Sequence, residues 1–433
     1  MRQSAGVDAC TEGKAKGNLT TTRSEERSHS MRARRQLERV GLSASSIERF
    51  LHAAVKVDLH VKTVLSLSLA TLGVLHSVSL CIHVIGRGMA WARDGSPKHA
   101  TKQVDRLLSN NNVSPWLLFD AWVRFVVGPR EELLVALDWT EFDVDDHATL
   151  ALYLITRHGR ATPLIWRTVK KSSLAGKRNA YEDEVIERLH EILPKATRVT
   201  LLADRGFGDQ ERYAHLGNLG WDYIIRFREC IIVTDADDTA RPAGEWLTST
   251  GRAKMLKNVR VTQDKTAIAA VVLVHDKRMK EPWCLATSRA DLTASQVTKL
   301  YGRRFCIEET FRDVKNVHFG MGLSATHIGD TARRDRLLLI AAFAHVLLTL
   351  LGEAGERAGL DRLLKTNTVK HRTLSLYNQG CYWYTADRSP HFIRQIRRFP
   401  RRWHTASTEH QCGTVVCMGP RGSGVSGEPT TNT

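Results

Sequence analysis

The chain contains two short apolar runs that each stop at an acidic residue. The first is Leu133-Leu-Val-Ala-Leu-Asp138, and the second is Val199-Thr-Leu-Leu-Ala-Asp204. Both have the length and composition of a buried β-strand, and Gly206 and Gly208 end the second strand before a polar helix. Open α/β sheets bind ligands at the carboxyl ends of their strands, so both carboxylates are candidate site residues. An Asp at this place is often only a turn or helix-capping residue, and neither one indicates a site by itself.

A segment near residue 300 combines an apolar face with an unusual polar one. At about 100° per residue, one helix over this segment places four side chains within a stripe roughly 60° wide: Tyr301, Arg304, Glu308 and Lys315. An adjoining stripe is apolar and consists of Leu300, Ile307, Phe311 and Val314. The polar stripe has cations for phosphate oxygens, a phenol that can donate a hydrogen bond and a carboxylate for a metal. The alternative is a solvated helix face with an Arg304–Glu308 ion pair.

The two strand-terminal Asp residues and the helical Glu together make a more specific pattern than any one of them. Asp138, Asp204 and Glu308 would repel one another if they converged without a cation. Their hard oxygen ligands suit Mg²⁺ or Mn²⁺. The sequence therefore predicts a divalent-metal site built from carboxylates that lie far apart in the chain.

These motifs resemble those of DDE transposases of the insertion-sequence-four family. The helix carries that family's Tyr-x2-Arg-x3-Glu-x6-Lys signature, and the two strand ends resemble its first and second acidic motifs. The resemblance covers about residues 95 to 385. It implies an α/β fold: a ribonuclease-H-like mixed sheet flanked by helices, with a β-rich insertion and a helical N-terminal DNA-binding region.

The resemblance also implies an activity, namely cut-and-paste transposition by metal-dependent phosphodiester cleavage and strand transfer. The implied catalytic metal ligands are Asp138, Asp204 and Glu308, which would hold two Mg²⁺ ions, with Mn²⁺ as a substitute. The implied DNA contacts include Tyr301, Arg304 and Lys315 at phosphates and Trp283 stacked on a flipped base, although Trp283 also suits a packed core. A stand-alone nuclease and a non-catalytic DNA-binding relic remain alternatives.

The charge of the chain indicates a polyanionic partner. Lys and Arg number 63 against 46 Asp and Glu, which gives a net charge of +17. A helix beginning near residue 97 places Lys98, Lys102 and Arg106 at four-residue spacing, so we expect phosphate contacts there. An ordinary solvated face is the alternative. The expected partners are double-stranded DNA, as terminal inverted repeats and as target, and a second copy of the chain in a synaptic complex.

Shifts in composition divide the chain. Predicted segments are a disordered stretch 1–30, a helical region 31–130, a catalytic core in two parts 131–226 and 293–385, a β-rich insertion 227–292, and a basic segment with a disordered tail 386–433. Within the core we predict strands 148–157, 161–169 and 221–226 and helices 181–193 and 333–352.

One uncharged segment, Val64–Ile85, is long enough to span a bilayer. Its seven polar residues instead favour two buried helices broken near Gly73, and we expect no membrane partner and a cytoplasmic, nucleoid-associated protein. The eight Cys residues form no CxxC pair, and Cys412 and Cys417 lack His partners at zinc spacing, so no zinc site is predicted.

Overall fold

The computed structural model of the protein describes residues 42–55, 59–318, 320–366 and 368–385. The predictions for residues 1–30 and for the basic segment and tail 386–433 lie outside these residues, as does the start of the predicted helical region, residues 31–41. In the described part of the chain, a mixed sheet is flanked by helices.

From residue 132 to residue 227 the chain forms three strands, a helix, a strand, a helix and a strand, which is the order that the sequence predicted. The strands are β1 Glu132–Phe142, β2 His147–Ile155, β3 Ala161–Lys170, β4 Arg198–Ala203, β5 Asp222–Phe227, β6 Ile232–Thr234, β7 Ala240–Pro242, β8 Lys254–Val261, β9 Thr266–Val274 and β10 Trp283–Thr287. The helices are α1 Ala44–Val55, α2 Val61–Ser77, α3 Ile82–Arg93, α4 Pro97–Leu108, α5 Pro115–Val127, α6 Arg178–Ile192, α7 Gln210–Asn218, α8 Ala294–Gly302, α9 Phe305–Lys315, α10 Thr331–Arg357 and α11 Leu376–Thr385.

The core of the sheet has the order β3-β2-β1-β4-β5. The first three strands run antiparallel, with β2 and β3 forming a hairpin, whereas β4 pairs parallel with both β1 and β5. Because β1, β4 and β5 are parallel, their carboxyl ends meet at one edge of the sheet. This arrangement is compatible with the expected ribonuclease-H-like fold.

The β-rich region between residues 227 and 292 does not form a sheet of its own. Its strand β10 pairs antiparallel with β5, and β9, β8, β6 and β7 follow outward, so one continuous sheet of ten strands results in the described residues. The chain thus returns from this region beside β5, and α8 and α9 follow directly.

The apolar segment 64–85 forms two buried helices, but the break is not where the sequence suggested. Helix α2 continues through Gly73 and ends at Ser77, and α3 starts at Ile82 after a bend of 97°. A Cβ atom at Gly73 would lie 2.5 Å from the carbonyl oxygen of Ile85. The glycine therefore permits the close crossing of the two helices, and the prediction of a break at Gly73 was wrong.

Helix α10 is also long and apolar enough to cross a bilayer by length and composition. Its most apolar 18-residue window is 83% buried in the described fold, where it packs against β3, α2 and α11. This burial is typical of the core helix of a sheet-and-helix domain.

The prediction of one continuous helix over residues 300–315 was also wrong. Helix α8 ends at Gly302 and α9 begins at Phe305. The backbone N–H of Arg304 donates to the carbonyl of Tyr301 at 2.9 Å, three residues back, so the chain tightens into a turn here. The turn separates Tyr301 on α8 from Glu308 on α9 and gives Arg304 a place between the helix and the sheet.

Candidate active site

Asp138 and Asp204 lie next to each other at the carboxyl edge of the parallel strands. In the last residue pair between β1 and β4, Leu137 lies beside Ala203. The next residue on each chain segment is Asp138 or Asp204, so the two Asp residues lie side by side. Adjacent strands are about 4.8 Å apart, which brings the two carboxylates to one place. The backbone N–H of Trp139 donates to Asp138 Oδ1 at 2.9 Å, and that of Gly206 donates to Asp204 Oδ1 at 2.8 Å. These bonds fix the direction of both side chains.

Glu308 joins this pair through Arg304. The Nη1 atom of Arg304 donates to Asp138 Oδ2 at 3.0 Å, and its Nη2 atom donates to Glu308 Oε1 at 2.6 Å. The Arg304 side chain is only 8% exposed, whereas that of Glu308 is 47% exposed. One buried guanidinium therefore bridges the interior of β1 and the first turn of α9.

The burial of Asp138 changes the protonation of its carboxyl group. Burial, with a contribution from the charge of Asp204, raises the pKa of Asp138 to about 6, although Arg304 and the Trp139 N–H oppose the shift. A carboxyl group with this pKa is held in an environment that disfavours its charge. A further cation at this site would relieve that cost.

The aromatic residues beside the carboxylates form a small cluster. Tyr301 is buried and contacts Trp283 edge to face, with ring centroids 4.9 Å apart. Trp283 also stacks on Phe305 at 6.0 Å, and Phe305 is 43% exposed. Burial raises the pKa of Tyr301 to about 12, so its hydroxyl is a neutral donor. The sequence reading missed Phe305, although its position directly after Arg304 in the motif could have indicated it.

Lys315 contacts the end of β1. Its Nζ donates to Thr140 Oγ1 at 3.0 Å and to the carbonyl of Glu141 at 2.8 Å, and it lies 4.8 Å from the centroid of the Phe142 ring. Burial lowers the pKa of Lys315. In this structure the ammonium group therefore ties the last turn of α9 to the strand that carries Asp138.

Arg226 is a second residue that the sequence reading missed. The preceding residue, Ile225, pairs with Ala203 of β4. Arg226 therefore lies beside Asp204, on the side away from Asp138. Arg226 Nη2 donates to Glu281 Oε2 at 2.8 Å, and Arg205 Nη1 lies 3.4 Å from the same oxygen. One carboxylate thus covers two guanidinium groups at the edge of the site. Arg226 lies one residue before the end of β5, at the same edge of the sheet as Asp204.

The three predicted contacts on α4 lie away from this cluster. Lys98, Lys102 and Arg106 are exposed, and none forms an ion pair with a described residue. Arg106 lines a groove of about 680 Å³ between α2 and α4, together with Lys62 and His99. The lining of this groove carries no acidic side chain.

Helix α4 is connected to the edge of the sheet that carries the carboxylates. Arg336 of α10 donates to the carbonyl of Leu108 at the end of α4 at 2.8 Å, and Arg333 pairs with Asp105. The intervening Arg334 pairs with Asp145, which follows β1. The first turns of α10 therefore contact both α4, which lines the groove, and the segment that follows β1, the strand of Asp138.

The donor set fits a divalent cation in its chemistry. Asp138, Asp204 and Glu308 supply hard oxygen ligands of the kind that Mg²⁺ prefers. Among the described residues, no three His, Cys, Asp or Glu side chains are close enough together to hold a metal ion. In this structure the Arg304 guanidinium lies between two of the carboxylates, Asp138 and Glu308.

Comparison with known proteins agrees with the geometry of the cluster. Residues 167–347 match the family model of the transposase DDE domain. This region contains Asp204, Glu308 and the whole of α8 and α9, whereas Asp138 lies before it. The chain has no match among curated proteins. The match, together with the mixed sheet and the carboxylates at its parallel edge, supports a DDE transposase.

Proposed function

We propose that this protein is a cut-and-paste transposase of the insertion-sequence-four family. It would cleave phosphodiester bonds at the ends of an insertion element and join the freed 3′-hydroxyl to target DNA. The observation that carries this proposal is the shared Arg304 contact, which brings Asp138 and Glu308 together beside Asp204. The first and the last of these residues, Asp138 and Glu308, are 170 positions apart in the chain.

Asp138, Asp204 and Glu308 would hold two Mg²⁺ ions, for which Mn²⁺ can substitute. When bound, such ions activate a water or 3′-hydroxyl and stabilise the charge on a leaving oxygen. The protein's own cations at this edge, Arg226 and Lys315, would bind phosphates that flank the scissile bond. Arg304 would join them whenever its guanidinium is free of the carboxylates.

The aromatic cluster suits a base that has left its stack. Trp283 and Phe305 form a nearly parallel pair, with an interplanar angle of 26°, and Phe305 is exposed at its outer side. Stacking of a base on an aromatic face is worth about 1–3 kcal/mol and needs no particular sequence. The neutral Tyr301 hydroxyl would donate to a nearby phosphate.

The groove between α2 and α4 would bind the DNA backbone away from the cleaved bond. Lys62, His99 and Arg106 line it, and Lys98 and Lys102 extend the positive surface outward. These side chains make no ion pair with a described residue, so DNA phosphates would not have to displace a protein carboxylate. We propose double-stranded terminal repeats and target DNA as partners, a homodimer as the synaptic form, and a bacterial cytoplasm as the location.

The test uses the full-length chain and a labelled duplex from the boundary of the element that encodes it. With Mg²⁺ and a target plasmid, we expect end-specific cleavage and strand joining, and Asp204→Asn should abolish both while leaving duplex binding intact. Cleavage without joining would instead establish a nuclease. Binding with no metal-dependent cleavage would establish a non-catalytic DNA-binding protein.

A further inference from the structure

Arg304 occupies the space between two carboxylates that come from different elements. Its two terminal nitrogens each bind one carboxylate, Asp138 on β1 and Glu308 on α9. The guanidinium is nearly enclosed, with a side-chain exposure of 8%. Its Nε atom is buried and has no hydrogen-bond partner among the described residues. The site thus contains a cation that is bound through the metal-ligand candidates and is not fully satisfied there.

A divalent metal and this guanidinium would compete for the same oxygens. Mg²⁺ binds its ligands at about 2.0–2.1 Å, so oxygens that share one ion must approach each other closely. Asp138 Oδ2 and Glu308 Oε1 instead each face a different nitrogen, at 3.0 and 2.6 Å. Sharing an ion between them requires the guanidinium to leave.

We infer that Arg304 is a positioning residue that holds Asp138 and Glu308 together without metal and is displaced when a divalent ion binds them. The inference rests on the proposed function. The displaced guanidinium becomes available to a DNA phosphate at the same edge, where its unsatisfied Nε can also find an acceptor. Metal and DNA must then strengthen each other's binding, since linkage between two sites is reciprocal.

The test measures binding and not catalysis. Mn²⁺ binding to the full chain is followed by the loss of the free-ion EPR signal, for the unaltered protein, for Arg304→Gln and for Arg304→Lys. Gln preserves much of the side-chain length without the charge, so we expect Mn²⁺ to bind at least about fivefold more tightly. The Lys ammonium group cannot contact both carboxylates as the rigid guanidinium fork does. The Mn²⁺ affinity of Arg304→Lys should therefore lie between those of the unaltered protein and Arg304→Gln. Equal or weaker Mn²⁺ binding by Arg304→Gln would overturn the inference.

Arg312→Ala is the matched control, because Arg312 lies on the same helix, is exposed and pairs with Glu309. Its Mn²⁺ affinity should match that of the unaltered chain. A melting curve for each variant checks the fold, and Arg304→Lys keeps the test decisive if Arg304→Gln unfolds. In that case Mn²⁺ binding no tighter than that of the unaltered chain counts against the inference.

A second measurement tests the linkage. In Ca²⁺, which binds carboxylate sites, affinity for a labelled end duplex is compared with and without the ion. We expect Ca²⁺ to raise the DNA affinity of the unaltered chain and to have a smaller effect on Arg304→Gln. An identical effect on both proteins would contradict the coupling.

The proposed function and this inference fail in different ways. If Asp138→Asn and Glu308→Gln leave Mn²⁺ binding unchanged, the carboxylates do not form the metal site and the proposed function is wrong. If they abolish Mn²⁺ binding but Arg304→Gln does not strengthen it, only the role of Arg304 is wrong.

Discussion

The carboxylate of Asp313 and the guanidinium of Arg160 form a buried ion pair that anchors the helix carrying Glu308. Asp313 lies on α9, and Arg160 lies in the hairpin between β2 and β3. Beside it, the Thr310 hydroxyl accepts from the backbone N–H of Ala161 at 2.9 Å and contacts the carbonyl of the same residue at 3.1 Å. The position of Glu308 is therefore set from the face of α9 opposite to the carboxylate cluster.

Replacement of Asp313 by Ala should destabilise the protein strongly. Arg160 would remain buried with only the more distant Glu309 carboxylate, 3.5 Å away, as a counterion. Breaking a buried pair in this way costs about 3–5 kcal/mol of unfolding free energy. Urea denaturation measures the loss, and Arg312→Ala on the exposed face should change the unfolding free energy by less than about 0.5 kcal/mol. A similar small effect for Asp313→Ala would show that the pair does not hold α9.

The stability contribution of Asp138 should depend on pH. Its pKa is raised to about 6 in the folded protein, above the value near 4 of an unfolded chain, so the folded state binds the extra proton between these values. Stability from this group is present below about pH 4 and is lost as the pH rises through 6. Asp138→Asn should therefore stabilise the metal-free protein at pH 7.5 by about 1–3 kcal/mol, with little difference at pH 4. Denaturation midpoints at both pH values measure this change, and an equal effect at each pH would contradict it.

Removal of the charge of Glu281 should strengthen DNA binding. This carboxylate covers Arg226 and Arg205, so Glu281→Gln exposes two guanidinium groups to phosphates. Each new phosphate contact should make binding more dependent on salt, with a slope steeper by about 0.9. Fluorescence anisotropy on a labelled duplex at several salt concentrations provides the measurement. Asp276→Asn is the control because Asp276 pairs, within the described residues, with the exposed Arg278. Identical slopes for the two variants would show that Glu281 does not mask the arginines.

Loss of a cation from the groove should weaken DNA binding without altering cleavage chemistry. Arg106→Ala and Lys62→Ala remove groove cations that have no described ion-pair partner, and each should lower the salt slope by about 1. The same anisotropy titration detects the change. Arg124→Ala serves as the comparison, since this exposed arginine already pairs with Asp120 and lies outside the groove. If Arg124→Ala has the same effect as the groove variants, the binding is spread over the whole basic surface.

The sequence by itself determined the elements and the chemistry that they carry. Apolar runs predicted the hairpin strands, observed as His147–Ile155 and Ala161–Lys170, and the strand that ends just before Asp204. The prediction that the first strand ends at Asp138 was wrong, because β1 continues to Phe142 along its antiparallel pairing with β2. The four-residue spacing of Arg304 and Glu308 allowed an ion pair between them as the alternative to phosphate binding, and the structure contains this pair, with Arg304 buried and not on a solvated face. These features depend on interactions between residues close in the chain, which periodicity and turn chemistry reveal.

The tertiary structure decided how those elements share one site. Arg304 and Asp138 are 166 positions apart, and their contact depends on the break between α8 and α9, which the helical spacing of the motif did not indicate. The place of Arg226 beside Asp204 follows from the register of two parallel strands, and parallel strands are joined by long crossovers that fix no register locally. Packing and hydrogen bonding across the whole sheet set that register. Only the folded chain therefore shows that Arg226 lies beside Asp204 and that the Arg304 guanidinium lies between Asp138 and Glu308.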